Sequence, residues 1–231
     1  EILPVEEYSK KLINQGMILG NSAYILRKQG EQKYLSKNLS ESFANMDLVR
    51  IDIKYVNDLD ELDIKSLKKW QKQFVNAEFI TKNNVFKVVR QVEKMSKSKY
   101  NVVNPDDICD QYGADTLRMY EMFLGPLEQD KPWNTSGISG VHNFLKKFWR
   151  LFFNDEEWIV SEETPTSKEL KVLHETIKKV GRDIENFSFN TCVSSFMICV
   201  NELTSLKCHS KEILSPLTLL LSPFAPHISE E

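Results

Sequence analysis

The hydrophobic pattern of the second half of the chain predicts helices. Apolar side chains recur there at intervals of three and four residues, which places each set on one face of a helix. The three sets are Ile138, Val141, Leu145, Phe148 and Phe152; Leu170, Leu173, Ile177, Val180, Ile184 and Phe187; and Phe189, Val193, Phe196, Val200 and Leu203. With a further helix over 211–221, the pattern predicts an antiparallel helical bundle whose core is formed by these stripes.

Two shorter helices are predicted before this bundle. Asn104, Pro105 and the two acids that follow are typical of a helix start, and Gly113 is typical of a helix end. Residues 114–124 form the second helix, in which we expect Asp115 to cap the helix or to pair with Arg118.

The first half has a mixed pattern. Apolar and polar residues alternate over 49–55, which predicts a half-buried strand, and weaker strand patterns cover 24–26, 78–80 and 85–89. Leu59, Leu62, Leu67, Trp70 and Phe74 follow one another at roughly helical spacing. The fold class predicted for the whole chain is therefore mainly α with a small α+β portion.

The first residues predict one helix and one strand. Pro4 is suited to a first helical position, and the helix should continue to Gln15 and end at Gly16. A short buried strand over 17–19 should then end at Gly20.

Composition excludes several functional classes. Of the 231 residues 41% are hydrophobic and the formal charge is -3, so no whole-chain field attracts nucleic acid or a membrane. Apolar runs stay below about 18 residues, and no signal-peptide pattern is present, so we expect a cytoplasmic protein. The chain begins with Glu1 and ends inside a helical pattern, which indicates a fragment. We expect it to be a monomer.

Four cysteines bear on metal binding and redox state. Cys109, Cys192, Cys199 and Cys208 have no CxxC spacing, and no two histidines have metal-ligand spacing. We therefore expect reduced, buried thiols and no metal site in this chain.

One short segment stands out chemically. Residues Lys94, Met95, Ser96, Lys97 and Ser98 combine two lysines and two hydroxyls in a run that can close on a polyanion as a loop. The surrounding segment, residues 82–99, has six basic residues and one acid, Glu93. A phosphate chain is the ligand that this composition favours, although a lone KxxK pattern more often marks a solvated basic turn.

The residues around this segment resemble a known family. The run KMSKSKYNVVNPDDICDQYGADTLRMYEMFLGP is similar to the signature stretch of class I aminoacyl-tRNA synthetases, and most closely to their leucine-specific branch. Further segments are similar to the same family. They are Asn101 to Pro105, the YGADTLR run over 112–118, Trp133 before Gly137, and FLKKFW over 144–149. LINQGMIL over 12–19 also resembles the leucine enzymes.

The resemblance implies ATP-dependent attachment of leucine to its tRNA, with Mg²⁺ accompanying ATP. It implies that Lys97 foremost, with Lys94 and the rest of the five-residue loop, binds the ATP phosphates. It also implies a nucleotide-binding catalytic domain with an α+β insertion and an anticodon-binding bundle. The HIGH-type half of that catalytic domain is absent here, so we expect the isolated chain to be inactive.

The resemblance suggests four segments. They are a catalytic-domain remnant (1–23), an inserted α+β domain of the leucine-specific type (24–92), the signature loop with linking helices (93–133), and a truncated anticodon-binding bundle (134–231). Candidate contacts to the tRNA backbone are the basic residues of the bundle, for which a solvated helix face is the competing interpretation: Lys146, Lys147, Arg150, Lys178, Lys179 and Arg182.

Three alternatives remain open. An isoleucine or valine enzyme is disfavoured by Lys99, Tyr100 and Asn101, because those enzymes usually have Leu-Gly-Asn after the loop. As an isolated chain, the protein could act as a non-catalytic tRNA-binding module. A nucleotidyltransferase with a similar phosphate loop would leave the helical bundle unexplained.

Overall fold

The structure is a computed structural model that describes residues 9–39 and 45–231. These residues separate into two compact units. The sheet unit contains residues 17–103, and the helical unit contains residues 9–16 and 104–231. The first half of the helix expected after Pro4 lies outside the described residues, and residues 9–17 are not helical. No helix among the described residues is long and apolar enough to cross a membrane.

The sheet unit contains five strands and two short helices in its described part. The strands are β1 (Ile18–Lys28), β2 (Lys33–Leu35), β3 (Met46–Ile51), β4 (Glu78–Ile80) and β5 (Val89–Lys94). The helices are α1 (Ile64–Trp70) and α2 (Lys72–Val75). Single 3₁₀ turns occupy Lys37–Leu39, Ile53–Tyr55 and Lys97–Lys99.

Strand β1 is the centre of this unit. Strand β3 pairs antiparallel with it, from Ala23↔Ile51 to Lys28↔Met46. Strand β5 also pairs antiparallel with it, from Leu19↔Lys94 to Tyr24↔Val89, while β2 pairs with its end and β4 lies parallel to β2. Tyr24 in the middle of β1 therefore lies beside Val89, the first residue of β5.

Both faces of β1 are buried, which explains how the unit is held together. Ala23 and Ile25 lie on the face covered by α1 and α2, where Leu67 and Phe74 are fully buried. Tyr24 and Leu26 lie on the opposite face with Val89. Full burial of such side chains contributes roughly 1.5–3 kcal/mol each.

The sequence prediction for β1 was wrong in extent. The strand does not end at Gly20 but continues to Lys28, and residues 24–26 are its middle. Gly20 is required for a different reason. A Cβ at this position would lie 2.5 Å from the Asn101 carbonyl oxygen and 2.8 Å from Met95 Cγ, so glycine permits close packing rather than ending the strand.

Three other predictions for the sheet unit need correction. Strand β3 ends at Ile51 because Asp52 accepts a hydrogen bond from Lys54 N and starts a 3₁₀ turn. Strand β5 begins only at Val89, after isolated bridges at 85 and 87. The helical spacing over 59–74 covers a loop and two helices, broken where Gln71 is extended. The strand over 78–80 is confirmed.

The helical unit contains seven helices in its described part. They are α3 (Pro105–Tyr112), α4 (Ala114–Phe123), α5 (Thr135–Trp149), α6 (Ser167–Glu185), α7 (Phe189–Leu206), α8 (Lys211–Leu221) and α9 (Pro226–Glu230). Short strands are β6 (Lys131–Pro132), β7 (Phe153–Asn154) and β8 (Glu157–Trp158). The overall assignment as mainly α is confirmed.

Capping residues explain where several helices begin and end. Asn104 accepts a hydrogen bond from Asp106 N, and Gly113, with φ 87°, ends α3 as predicted. Thr166 and Glu169 form a reciprocal capping box at the start of α6. Helices α6 and α7 lie antiparallel, since Thr191 donates to Asp183 and Cys192 lies against Val180.

The predicted core stripes are only partly correct. Four of the five stripe residues in α5 and in α7 are buried, whereas Leu170, Ile177 and Ile184 of α6 are 36–38% exposed. Polar residues occupy part of the buried face of α6, since Glu169, Thr176 and Asp183 are buried and their side chains have hydrogen-bond partners.

Asp115 does not act as predicted. Its carboxylate accepts hydrogen bonds from His227 N (3.3 Å) and Ile228 N (2.8 Å), so it caps α9 rather than its own helix. Arg118 donates instead to the Pro223 carbonyl. Both residues thus tie α4 to the segment around α9.

Three of the four cysteines are buried, as predicted, and Cys109 is partly exposed. Burial raises the pKa of the Cys192 and Cys208 thiols to about 11. Both thiols are therefore protonated at neutral pH and poor nucleophiles.

Candidate functional site

The lysine and serine segment forms a loop at the end of β5. Lys94 is the last residue of the strand, and the 3₁₀ turn Lys97–Lys99 follows. The Ser96 and Ser98 hydroxyls lie 2.9 Å apart. Lys94, Lys97 and Ser98 are exposed, while Met95 and Ser96 are half-buried. The loop therefore presents both lysines to solvent on a strand that is anchored in the sheet.

Asn101 holds the base of this loop. It is 1% exposed, and its Oδ1 accepts a hydrogen bond from Ser96 N at 2.9 Å. Its Nδ2 donates to Ser22 Oγ in β1 at 2.9 Å and to the Lys94 carbonyl at 3.3 Å. Only an amide side chain can accept and donate in this way.

The Glu93 carboxylate is hydrogen-bonded to several charged and hydroxyl groups around the loop. Its carboxylate accepts hydrogen bonds from Lys99 Nζ, from the Arg50 guanidinium and, at 2.8 Å, from the Tyr24 hydroxyl. These hydrogen bonds hold the pKa of the Glu93 carboxyl well below its usual range, and the one from Lys99 has the largest effect. Burial, together with this hydrogen bond, raises the pKa of Tyr24.

Carboxylates neutralise three of the six basic residues in the segment 82–99. Lys87 pairs with Glu61 at 3.0 Å, Arg90 pairs with Asp60, and Lys99 pairs with Glu93. In the part of the chain that the structure describes, the side chains of Lys94 and Lys97 have neither an ion pair nor a hydrogen bond. Lys82, which donates to the Asn38 carbonyl at 3.4 Å, also has no carboxylate partner among the described residues. Within the loop itself, Lys94 and Lys97 supply the positive charge available to a ligand.

The structure separates the six basic residues predicted to touch RNA. Lys146 in α5 and Arg150, the residue that caps the end of this helix, line a cleft of about 770 Å³ with the aromatic side chains of Tyr112, His142 and Trp149. Neither cation has an ion-pair partner within the described ranges. This cleft also has Asp155 on its rim.

The other four basic residues lie elsewhere in the helical unit. Lys147 donates to Asn201 Oδ1 at 2.9 Å. Asp183 pairs with two of them. Its Oδ2 lies 2.6 Å from Lys179 Nζ, and its Oδ1 lies 3.6 Å from Arg182 Nε. Lys178 is exposed on α6. Three of the four are therefore engaged with neighbouring side chains.

Sequence reasoning missed the residues that hold the loop. Ser22, Tyr24, Arg50 and Glu93 are far apart in the chain, and no spacing rule connects them. The sequence did contain one indication of the role of Glu93, because this residue is the single acid in the otherwise basic segment 82–99. Among the residues with described positions, no group of three or more His, Cys, Asp or Glu side chains could hold a metal ion.

Comparisons with known proteins agree with this arrangement. A family described as "tRNA synthetases class I (I, L, M and V)" matches residues 79–134, and one described as "Anticodon-binding domain of tRNA ligase" matches residues 168–231. The chain is 62% identical over 229 residues to the leucine-tRNA ligases of Christiangramia forsetii and Flavobacterium johnsoniae. Each alignment covers 99% of this chain and 24% of the relative.

A solved structure is also similar. It is the LeuRS of Agrobacterium radiobacter in a ternary complex with tRNA and LeuAMS, with a TM-score of 0.51 and 30% identity. The similarity covers 60% of this chain and 20% of that one. The chain thus spans about a quarter of the length of the curated relatives that it matches.

Proposed function

We propose that this chain, which belongs to the class I aminoacyl-tRNA synthetases, is the part of a leucine-tRNA ligase that binds the phosphates of ATP and contacts tRNA. The observation that supports the first role is that Lys94 and Lys97, on an anchored loop, have no side-chain partner among the described residues. The whole enzyme works in the cytoplasm as a monomer, and this chain alone is inactive.

The proposed reaction places the growing charge next to these lysines. The carboxylate of leucine attacks the α-phosphate of ATP, the bond between the α-phosphorus and the bridging oxygen breaks, and pyrophosphate leaves with the electron pair. Negative charge increases on the β and γ oxygens during this step. Lysine is suited to this role, because its ammonium is a compact charge with three rotatable donors.

The two lysines have distinct positions in the proposal. Lys97 begins the exposed 3₁₀ turn and is the principal contact to the leaving pyrophosphate. Lys94 contacts the same group from the end of β5, and Ser96 and Ser98 add hydroxyl donors. Among the described residues, no group of three or more His, Cys, Asp or Glu side chains could hold a metal ion. In the proposal Mg²⁺ would accompany ATP and would offset the charge of its phosphates.

The domain assignment is supported by the pairing of β1 with β5. Tyr24 in β1 pairs with Val89 in β5 and Asn21 pairs with Val92, so the two ends of the proposed 24–92 insertion lie on neighbouring strands. An insertion whose ends meet can be accommodated without changing the strands that it interrupts. We propose that residues 1–23 and 93–133 belong to the catalytic domain and that residues 134–231 form the anticodon-binding bundle.

The proposed phosphate role can be tested by replacing Lys97 with alanine in the full-length protein. Losing one preorganised donor typically costs ~3–4 kcal/mol of transition-state stabilisation, which is roughly a hundredfold to a thousandfold in rate. We therefore expect ATP-pyrophosphate exchange to fall by that factor while the KM for leucine is unchanged. Unchanged exchange would refute the assignment.

The proposed tRNA contact concerns the cleft in the helical unit. Lys146 and Arg150 are cations without ion-pair partners in the described chain, and aromatic side chains line the same cleft. Removing a cation that binds one phosphate lowers the slope of log K against log salt by about 0.7–0.9. The K146A/R150A double variant of the full-length protein should thus lose about one to two units of slope in tRNA binding. The K147A variant, in which the altered residue is bonded to Asn201, should lose less.

A further inference from the structure

We propose that Asn101 and Glu93 are positioning residues that fix where Lys94 and Lys97 stand, an inference that rests on the proposed phosphate-binding function. Asn101 is buried and joins three points, namely the backbone before the turn, the end of β5 and β1. The amide accepts from Ser96 N and donates to the Lys94 carbonyl, so it sets the backbone on both sides of Met95.

Glu93 fixes the second limb of the loop, which is the 3₁₀ turn Lys97–Lys99. Lys99, the last residue of the 3₁₀ turn, is bound to the Glu93 carboxylate in β5. Arg50 from β3 and Tyr24 from β1 bind the same carboxylate, and Arg50 also donates to Ser22 Oγ at 3.0 Å. Lys99 is therefore the structural counter-ion of Glu93 and is distinct from the two lysines proposed to meet phosphate.

Tyr100 gives independent evidence that the path of the loop is constrained. Its φ of 50° and ψ of 35° place it in the left-handed region, which costs of order 1–3 kcal/mol for a residue of this kind. The surrounding sheet unit holds this conformation. The Tyr100 carbonyl accepts a hydrogen bond from Ile53 N at 3.0 Å, and its ring meets Trp70 edge to face at 4.9 Å.

Together these contacts fix the loop at its base and at its second limb, leaving the lysine side chains free between them. The rate advantage of a charged donor depends on its being in place before the reaction begins. A displacement of about 1 Å, even one caused by a remote substitution, can cost about a hundredfold. Asn101 and Glu93 thus act on the reaction through Lys94 and Lys97 and not by touching ATP.

The first test compares N101A with N104A in the full-length protein. N104A is a matched control, because this variant also loses side-chain hydrogen bonds. Asn104 caps α3 and does not hold the loop. Active sites are titrated by the burst of adenylate formation, so that unfolded protein does not contribute to the measured kcat. We expect N101A to lower kcat for ATP-pyrophosphate exchange by about tenfold to a hundredfold per active site. The KM for leucine should be unchanged, and N104A should retain kcat.

Two results of this test would overturn the proposal. One is an N101A kcat per active site equal to that of the unsubstituted protein, since a merely structural role reduces only the number of active sites. The other is an equal loss in N104A. Failure of this inference is distinguishable from failure of the phosphate assignment, because the latter is decided by K97A alone.

The second test is a double-mutant cycle on Glu93 and Lys99. If the two residues act only through their mutual bond, E93Q and E93Q/K99Q should have the same kcat within about twofold. Because Glu93 acts on the reaction through Lys94 and Lys97, the effects of K97Q and E93Q should combine to less than their product. Multiplicative effects of E93Q and K99Q would show that Lys99 acts independently of Glu93, and would contradict the positioning role of Glu93.

Discussion

The close packing at Gly20 gives a quantitative prediction for the G20A variant. Gly20 in β1 pairs with Glu93 in β5, directly beneath the loop. The added Cβ would lie 2.5 Å from the Asn101 carbonyl oxygen, ~0.9 Å short of ordinary contact. Met95 can rotate away from this methyl group, but the carbonyl oxygen can move only with the Asn101 backbone.

The cost follows from two effects. Overpacking of this kind costs about 1–3 kcal/mol, and moving Asn101 by nearly 1 Å removes at least one of its hydrogen bonds, a loss of about 1 kcal/mol. Replacing glycine reduces the entropy of the unfolded chain and returns about 0.4–1 kcal/mol. The net expectation is a loss of roughly 1–3.6 kcal/mol in the free energy of local opening, with a central value of about 2.3 kcal/mol.

Amide hydrogen exchange measured by mass spectrometry reports this free energy for individual peptides. Peptides that cover β1 and β5 should exchange about fiftyfold faster in G20A, within a range of about fivefold to several hundredfold, since each 1.36 kcal/mol corresponds to a factor of ten.

G140A is the matched control. A Cβ at Gly140 in α5 has no atom within 4 Å, so this substitution should slow exchange in α5 by up to about fivefold. Unchanged exchange in β1 and β5 of G20A would refute the close-packing argument.

Three further predictions concern stability and reactivity. The D115A variant removes the acceptor for two backbone N–H groups at the start of α9 and should lower the free energy of unfolding by about 1 kcal/mol in urea denaturation. The stabilisation by Glu93, whose folded-state pKa is lowered, is fully present above its unfolded pKa of about 4.3 and is lost as pH falls further. The difference in stability between the unsubstituted protein and E93Q should thus be constant from about pH 7 to 5 and shrink below about pH 4. At pH 8, iodoacetamide should modify Cys109 first, and Cys192 and Cys208 only on unfolding, as counted by mass spectrometry.

Local signals predicted the helical unit well. Asn104, Pro105 and Gly113 bracket α3 because their preferences act within one turn, and the structure confirms both ends. Helix α6 was predicted correctly as an element, but its buried face was not. Apolar spacing cannot reveal that polar side chains of α6 are buried. Asp183 accepts a hydrogen bond from Thr191 of α7, and Thr176 donates to the Val172 carbonyl of its own helix.

The sheet unit was less predictable because its order depends on distant contacts. Gly20 ordinarily indicates a break in a strand, and only the approach of Asn101, eighty-one positions later, explains why β1 continues through it. The same reason applies to the loop. The composition of residues 94–98 indicated a phosphate ligand, but the separation of Lys99 from Lys94 and Lys97 depends on Glu93 and its partners in other strands.

The central claim is that Lys97 binds the phosphates of ATP, whereas Lys99 is the counter-ion of Glu93. The most direct measurement is the single-turnover rate of leucyl-adenylate formation by the K97Q and K99Q variants of the full-length protein at saturating ATP and leucine. The account predicts that K97Q is slowed by roughly a hundredfold or more and that K99Q is slowed by a clearly smaller factor. Equal rates for the two variants, or a greater loss in K99Q, would contradict it.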